Sequence, residues 1–192
     1  MTGGGISVKI RNLTFCALFA ALLIVSAFLK IPLGVISITF QLQVCLLGAF
    51  IIGEKFAALS VFIYLLAGFL GIPVFTMGGG ISYFLRPTAG YLLALIPCAF
   101  LTGIMCRIKA QKKLSSFYLC FVPGILTVDI LGGIYCLIIT AFHTDTAVIS
   151  LPLILSVLVI PLAKDLLINL PFSYLCKKLI PLRTSEQTNP RR

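Results

Sequence analysis

Charge is what this chain has least of. Only 10% of its 192 residues are charged, and Asp and Glu together number five. Soluble domains carry roughly 25% charged residues, so a water-facing globular protein is excluded. There is one histidine, His143. H-E-x-x-H and G-x-S-x-G are both missing, and no two intramembrane aspartates share a plausible helix face, so an intramembrane enzyme has little to work with. There is no Walker motif, and the chain therefore does not hydrolyse ATP itself. The seven cysteines form no C-x-x-C pair, and nearly all lie in apolar runs. They read as small buried apolar residues, with no metal site and no disulfide framework expected.

What is abundant is apolar. Hydrophobic residues make up 60% of the chain, and the mean hydropathy is +1.15. The formal net charge of +10 falls mostly in short clusters at the ends of apolar segments. That is the pattern by which Lys and Arg mark cytoplasmic loops, not the solvated basic face a nucleic acid would need. The expected surroundings are a lipid bilayer.

A spanning helix needs about 20 apolar residues. Spans are expected at Leu13 to Leu29, within Leu33 to Ile52 (beginning near Thr39), at Phe56 to Leu70, at Pro87 to Cys106, at Leu114 to Phe142 and at Pro161 to Ile180. Glu54 and Lys55 read as a polar turn. Pro87 suits a first helical turn. The fifth segment is long, so a tilt or a break at Pro123-Gly124 is expected. Ala147 to Val159 reads as a short interfacial or re-entrant helix, divided from the last span at Ile160-Pro161. Lys30, Ile31 and Pro32 follow the first apolar run in place of a small-residue cleavage site, so no cleavable signal peptide is expected.

With the N-terminus inside, Lys9, Arg11, Lys55, Arg107, Lys109, Lys112, Lys113, Lys177, Lys178, Arg183, Arg191 and Arg192 are cytoplasmic. That leaves Lys30, Arg86 and Lys164 of the fifteen basic residues. The fold expected is an all-α integral membrane protein of six transmembrane helices with both termini cytoplasmic. Residues 1–182 form one transmembrane domain, and 183–192 form a polar tail expected to be disordered.

Between the third and fourth spans lies GIPVFTMGGGISYFLRPTAGY, Gly71 to Tyr91, expected as an extracellular loop. Irregular backbone at membrane depth must line a cavity or be buried in protein. Gly78, Gly79 and Gly80 would let backbone approach a ligand closely.

The polar residues near that loop are the site candidates. Asp165 in KDLLIN is an ionisable group inside an apolar stretch. It either faces a ligand or pairs with Lys164 or Arg86 to steady the bundle. Arg86 is either a cation for a carboxylate or phosphate ligand or a snorkelling interfacial residue. Gln43, with Gln41 close by, needs partners if buried, from a ligand or another helix. Tyr91 and Tyr135 could wall an apolar pocket and lend a hydroxyl, or simply pack. Asp129 is a gating, coupling or structural carboxylate. Ala17 and Ala21, continued by Ala20 and Ala27, make a small-residue step that suits close helix approach, within the bundle or to a partner.

Taken together, FQLQ at 40–43, YLLAGFLGIPVF at 64–75, GGG at 78–80, RPTAGYL at 86–92, DILGGIY at 129–135 and KDLLIN at 164–169 resemble a known family. It is the biotin-specific substrate-binding (S) components of energy-coupling-factor (ECF) transporters, the BioY family. The resemblance runs from about Leu13 to Ile180, and its loop with the PTxGY signature is its most specific part. It implies a six-helix bundle that captures biotin from outside, has no cofactor of its own, and docks on a transmembrane coupling protein carrying two ATPase subunits. It implies that Asp165, Gln43 and Tyr91 contact ligand and that Ala17 and Ala21 dock. Two positions depart from the pattern. Arg86 stands where the family has glycine, and Ile168 where it has lysine, while Lys164 precedes Asp165. These leave open a redistribution of polar contacts, or another vitamin or a biotin precursor as ligand. A membrane scaffold or intramembrane enzyme is the alternative of a different class.

Overall fold

A computed structural model describes residues 3–33, 36–109, 114–143 and 154–179. The tail at 183–192, the turn expected at 144–146 and most of the helix expected at 147–159 lie outside the described residues, as do Lys112 and Lys113.

The chain forms α1 (Gly3–Phe28), a small antiparallel hairpin of β1 (Lys30–Leu33) and β2 (Ile36–Thr39), α2 (Gln41–Ile52) and α3 (Glu54–Phe69). A loop with a 3₁₀ turn at Ile81–Leu85 leads to α4 (Ala89–Leu93), α5 (Leu95–Lys109) and α6 (Leu114–His143). A wide π-type turn, Leu155–Val159, then runs into α7 (Ile160–Lys178). Among the described residues, four stretches are long and apolar enough to cross a membrane: Ile10–Phe28, Ala89–Ile108, Ser115–Phe142 and Leu155–Lys178. α2 and α3 have 12 and 16 residues, which at 1.5 Å per residue fall short of a hydrocarbon core of about 30 Å.

Contacts fix the order of the bundle. Gly53 alone separates α2 from α3, and the two pack on each other. The start of α2 is therefore level with the end of α3. Gln41 accordingly donates to the Tyr64 hydroxyl at 2.7 Å. α5 runs back alongside α3, so that Arg107 near its end meets Glu54. α6 runs antiparallel to α5, with Gly124 against Thr102 and Gly90 against Tyr135. α7 returns along α6, and Asn169 reaches the Tyr118 carbonyl. The hairpin, the glycine loop and the starts of α4 and α7 thus share one end of the bundle. The loop folds back onto that end, where Phe75 is buried against Tyr64 and Phe69.

The opposite half is a dense apolar core. Phe50 meets Phe117 and Phe121 edge-on, with centroids 5.5 and 6.5 Å apart. Among the described residues all seven cysteines are free thiols, six of them buried.

Several boundaries differ from the sequence reading. Lys30–Leu33 pairs with Ile36–Thr39 as a hairpin ahead of the second helix, which begins at Gln41, close to the entry expected near Thr39; Ile36, Ile38 and Thr39 are β-branched and favour that geometry. Glu54 and Lys55 are the first turn of α3 rather than a connecting turn. Pro87 precedes α4, whose cap is Thr88. Pro123 lies inside an unbroken α6. Gly124 there lets the Thr102 hydroxyl approach to where a Cβ would meet it at 2.0 Å. Ile160-Pro161 does not divide two helices, because the wide turn continues into α7; Pro161 offers no N–H there, and the Val157 carbonyl one turn back accepts from Tyr91 instead.

Candidate functional site

The glycine loop is held from within. Phe75 and Gly78 exchange backbone hydrogen bonds of 3.0 and 3.1 Å around Thr76 and Met77, and the Gly80 N–H donates to Gly68 O at 2.8 Å. Gly78 and Gly80 both have φ of +105°, a region that L side chains avoid. A Cβ on Gly79 would lie 2.3 Å from Ile72 O. All three glycines therefore have a reason internal to the loop, beyond the close approach to a ligand expected for them. Beneath the loop, Phe75 packs against Tyr64, Phe69 and Tyr83, with centroids 4.6 to 5.4 Å away. Phe69 also stacks on Phe84 at 4.0 Å.

Arg86 is exposed at the loop's far side. Its guanidinium donates to Met77 Sδ at 3.2 Å and lies 5.7 Å from the Tyr83 ring centroid. Its own contacts are with the loop; the cation beside Asp165 is Lys164.

Two tyrosines are committed to backbone. Tyr91 donates to Val157 O at 2.7 Å, and Tyr135 donates to Phe84 O. Their rings fit glycine steps reciprocally. A Cβ on Gly132 would meet the Tyr91 ring at 2.4 Å, and one on Gly90 would meet Tyr135 Cβ at 2.3 Å. Of the two readings of these tyrosines, ligand contact or packing, the hydrogen bonds to Val157 and Phe84 fit a fastening role between α4, α6, the loop and the wide turn.

The polar side chains left over converge between α2, α6 and α7. Asp165 is 5% exposed, Gln43 5% and Asp129 2%. The Gln43 amide donates to the Asp165 carboxylate. Lys164 Nζ lies 3.1 Å from Asp165 Oδ1, close enough to balance its charge but outside hydrogen-bonding alignment. Asp129 is within electrostatic reach of both Asp165 and Lys164, and Tyr91 within reach of both aspartates. Gln43 Oε1, Asp129 Oδ2 and Asp165 Oδ1 are buried without a hydrogen-bond partner. Stranding an acceptor in an apolar setting costs about 1–3 kcal/mol; Lys164 balances Asp165 Oδ1, so Gln43 Oε1 and Asp129 Oδ2 are the two here that lack a donor. Asp129 on α6 and Asp165 on α7 lie on neighbouring, packed helices.

Asn169 was not anticipated. It is 1% exposed, one turn beyond Asp165, with Oδ1 unpartnered. The signal was present in KDLLINLPFSYLC. Asp165, Asn169, Ser173 and Cys176 recur at helical spacing and are the buried residues of α7, while Leu167, Leu170 and Leu175 point outward.

On α1, Ala17 and Ala21 lie exposed beside Leu18 and Leu22, while Ala20 and Ala27 are buried in the bundle. The small-residue stripe therefore divides into an outward and an inward half. Among the described residues no group of His, Cys, Asp or Glu could hold a metal ion.

This chain is similar to known proteins. The BioY family model matches residues 2–182. A protein of Thermotoga maritima named biotin transporter BioY is 38% identical over 128 residues, 66% of this chain and 71% of that protein. A probable biotin transporter BioY of Pyrococcus horikoshii is 31% identical, over 76% of this chain and 86% of its own. One from Lysinibacillus sphaericus is 40% identical over 53% of each chain, so this chain spans about half the length of that relative. A crystal structure of the S-component for biotin from an ECF-type ABC transporter superposes with a TM-score of 0.74 at 25% identity, covering 93% of this chain and 94% of that one. Since the match runs through nearly every described element, on a fold shared with that S-component, the chain belongs to the BioY family.

Proposed function

We propose that this chain is the biotin-binding membrane component of an ECF-type uptake transporter, a transport protein and not an enzyme. The observation that carries the reading is the set of unpartnered buried acceptors at the loop end of the bundle. The ureido ring of biotin brings N–H donors, which Asp165 and Gln43 accept. Its thiophane ring and valeryl chain are apolar and suit the Tyr, Phe and glycine surfaces of the loop. Its carboxylate needs a cation. Lys164 is engaged by Asp165, which leaves Arg86 as the better candidate.

The finer topology belongs to the same proposal. Six membrane segments, with both termini cytoplasmic, would put the loop end outside, where a solute arrives. The setting is a bacterial plasma membrane. The chain binds no cofactor of its own; ATP is used only by two ATPase subunits, reached through a transmembrane coupling protein. Ala17 and Ala21, exposed on α1, fit that docking. Bulky replacements there should abolish uptake while sparing binding, and normal uptake would place docking elsewhere.

The deciding experiment is binding of labelled biotin to purified, detergent-solubilised protein. Saturable binding of about one biotin per chain, at the high affinity a trace vitamin requires, supports the reading. No binding by folded protein, together with stabilisation by another vitamin or a biotin precursor, would assign Arg86 and Lys164 to a change of ligand. No stabilisation by any ligand would favour a scaffold.

A further inference from the structure

We propose that Asp129 is a specificity-determining acceptor of this site, reading the second N–H of a cyclic urea while Asp165 reads the first. This rests on the biotin reading above and extends it to a residue of α6. A cyclic urea holds two N–H groups on opposite sides of one carbonyl, so no single carboxylate reaches both in good alignment. Acceptors must approach from two directions.

The bundle supplies two directions. Asp165 comes from α7 and Asp129 from α6, with Gln43 contributed by α2. Other polar groups at this end are already engaged. Gln41 is bonded to Tyr64, Tyr91 to Val157, Tyr135 to Phe84 and Thr76 to Tyr83. Lys164 is held beside Asp165. Asp129 is 2% exposed, and its Oδ2 has no hydrogen-bond donor among the described residues. Such an oxygen is costly while empty and favourable once a donor reaches it. A ligand with one N–H satisfies Asp165 and leaves Asp129 stranded. A ligand with two satisfies both, and the site discriminates by that difference.

The test uses biotin and the two isomers of biotin methylated on one ureido nitrogen, titrated into wild-type, Asp129→Asn and Asp129→Leu protein in detergent. Thermal melting is followed alongside to verify folding. Wild type should bind both methylated isomers at least about tenfold more weakly than biotin. Asp129→Asn should weaken biotin by about tenfold, and Asp129→Leu by more, yet leave unchanged the isomer whose methyl faces residue 129. Equal biotin affinity in wild type and both variants overturns the proposal. So does wild-type protein that binds both methylated isomers as tightly as biotin, an arm that needs no variant to fold. Folded wild type that binds no biotin at all overturns the biotin reading itself, a different result from these two.

Discussion

Two ion pairs occupy opposite ends of this bundle, and they do different work. Arg107 and Glu54 join the end of α5 to the start of α3 at 2.7 Å. The carboxylate lies at a helix N-terminus and the guanidinium at a helix C-terminus, so each also meets a favourable dipole. A Cβ on Gly103 would lie 2.5 Å from Glu54 Cα, so the backbones nearly touch where the charges meet. Lys164 and Asp165, 3.1 Å apart, are neighbours on one helix and join no two elements. Their burial is not explained by what they hold together. The first pair is a fastening. The second balances the charge of a buried carboxylate from within its own helix. A charge in a membrane protein is thus better read from which elements it bridges than from whether it has a partner.

The comparison can be broken or sharpened by substitution. The largest effect should follow Arg107→Ala. Losing one partner of a buried pair costs about 3–5 kcal/mol. Arg107 is 41% exposed, so about 2–3 kcal/mol is expected. Thermal or denaturant unfolding in detergent reads the loss, and biotin affinity of the folded protein should stay the same. An unchanged melting temperature would remove the fastening role. Asp165→Asn should reverse the pattern. Biotin affinity should fall by about 1–3 kcal/mol while unliganded stability moves by less than about 1 kcal/mol. A large drop in stability with unchanged affinity would make the second pair a fastening too. The smallest effect should come from Tyr91→Phe, which loses one hydrogen bond to Val157 and should cost stability about 1 kcal/mol. If it weakens biotin instead, its hydroxyl turns from the backbone to the ligand.

These two pairs also mark what could be read from sequence. Asp165 and Gln43 were legible because each breaks an apolar run, and because KDLLIN and FQLQ carry the family resemblance. Glu54 with Arg107 was not, since each sits at a segment end where a charge ordinarily faces water. Asp129 was visible as a charge in a span, but its neighbours depend on how α6 and α7 are rotated against each other, which a single helix's periodicity does not contain. The hairpin was missed because Lys30 to Thr39 is apolar enough to pass for the approach to a span. The last helix was divided wrongly because Ile160-Pro161 resembles a stop, when it follows a wide turn that keeps the helix going. Most of the bundle followed from apolar run lengths alone, with α2 and α3 shorter than spans usually are.

That wide turn at Leu155–Val159 has a consequence for insertions and deletions. A π-type turn holds one residue more than the α-helical period allows, and each residue of an α-helix turns it by about 100°. Within it Val157 meets Tyr91 and Leu158 lies over Gly133. On its far side Asp165 meets Gln43. Removing a single residue within the turn would restore ordinary winding and rotate one set of contacts by about a third of a circle against the other. The helix could then keep its seat on α6 or its carboxylate in the site, but not both. The extra residue acts as a phase setting for α7, and this short stretch should tolerate changes of side chain far better than a change of length.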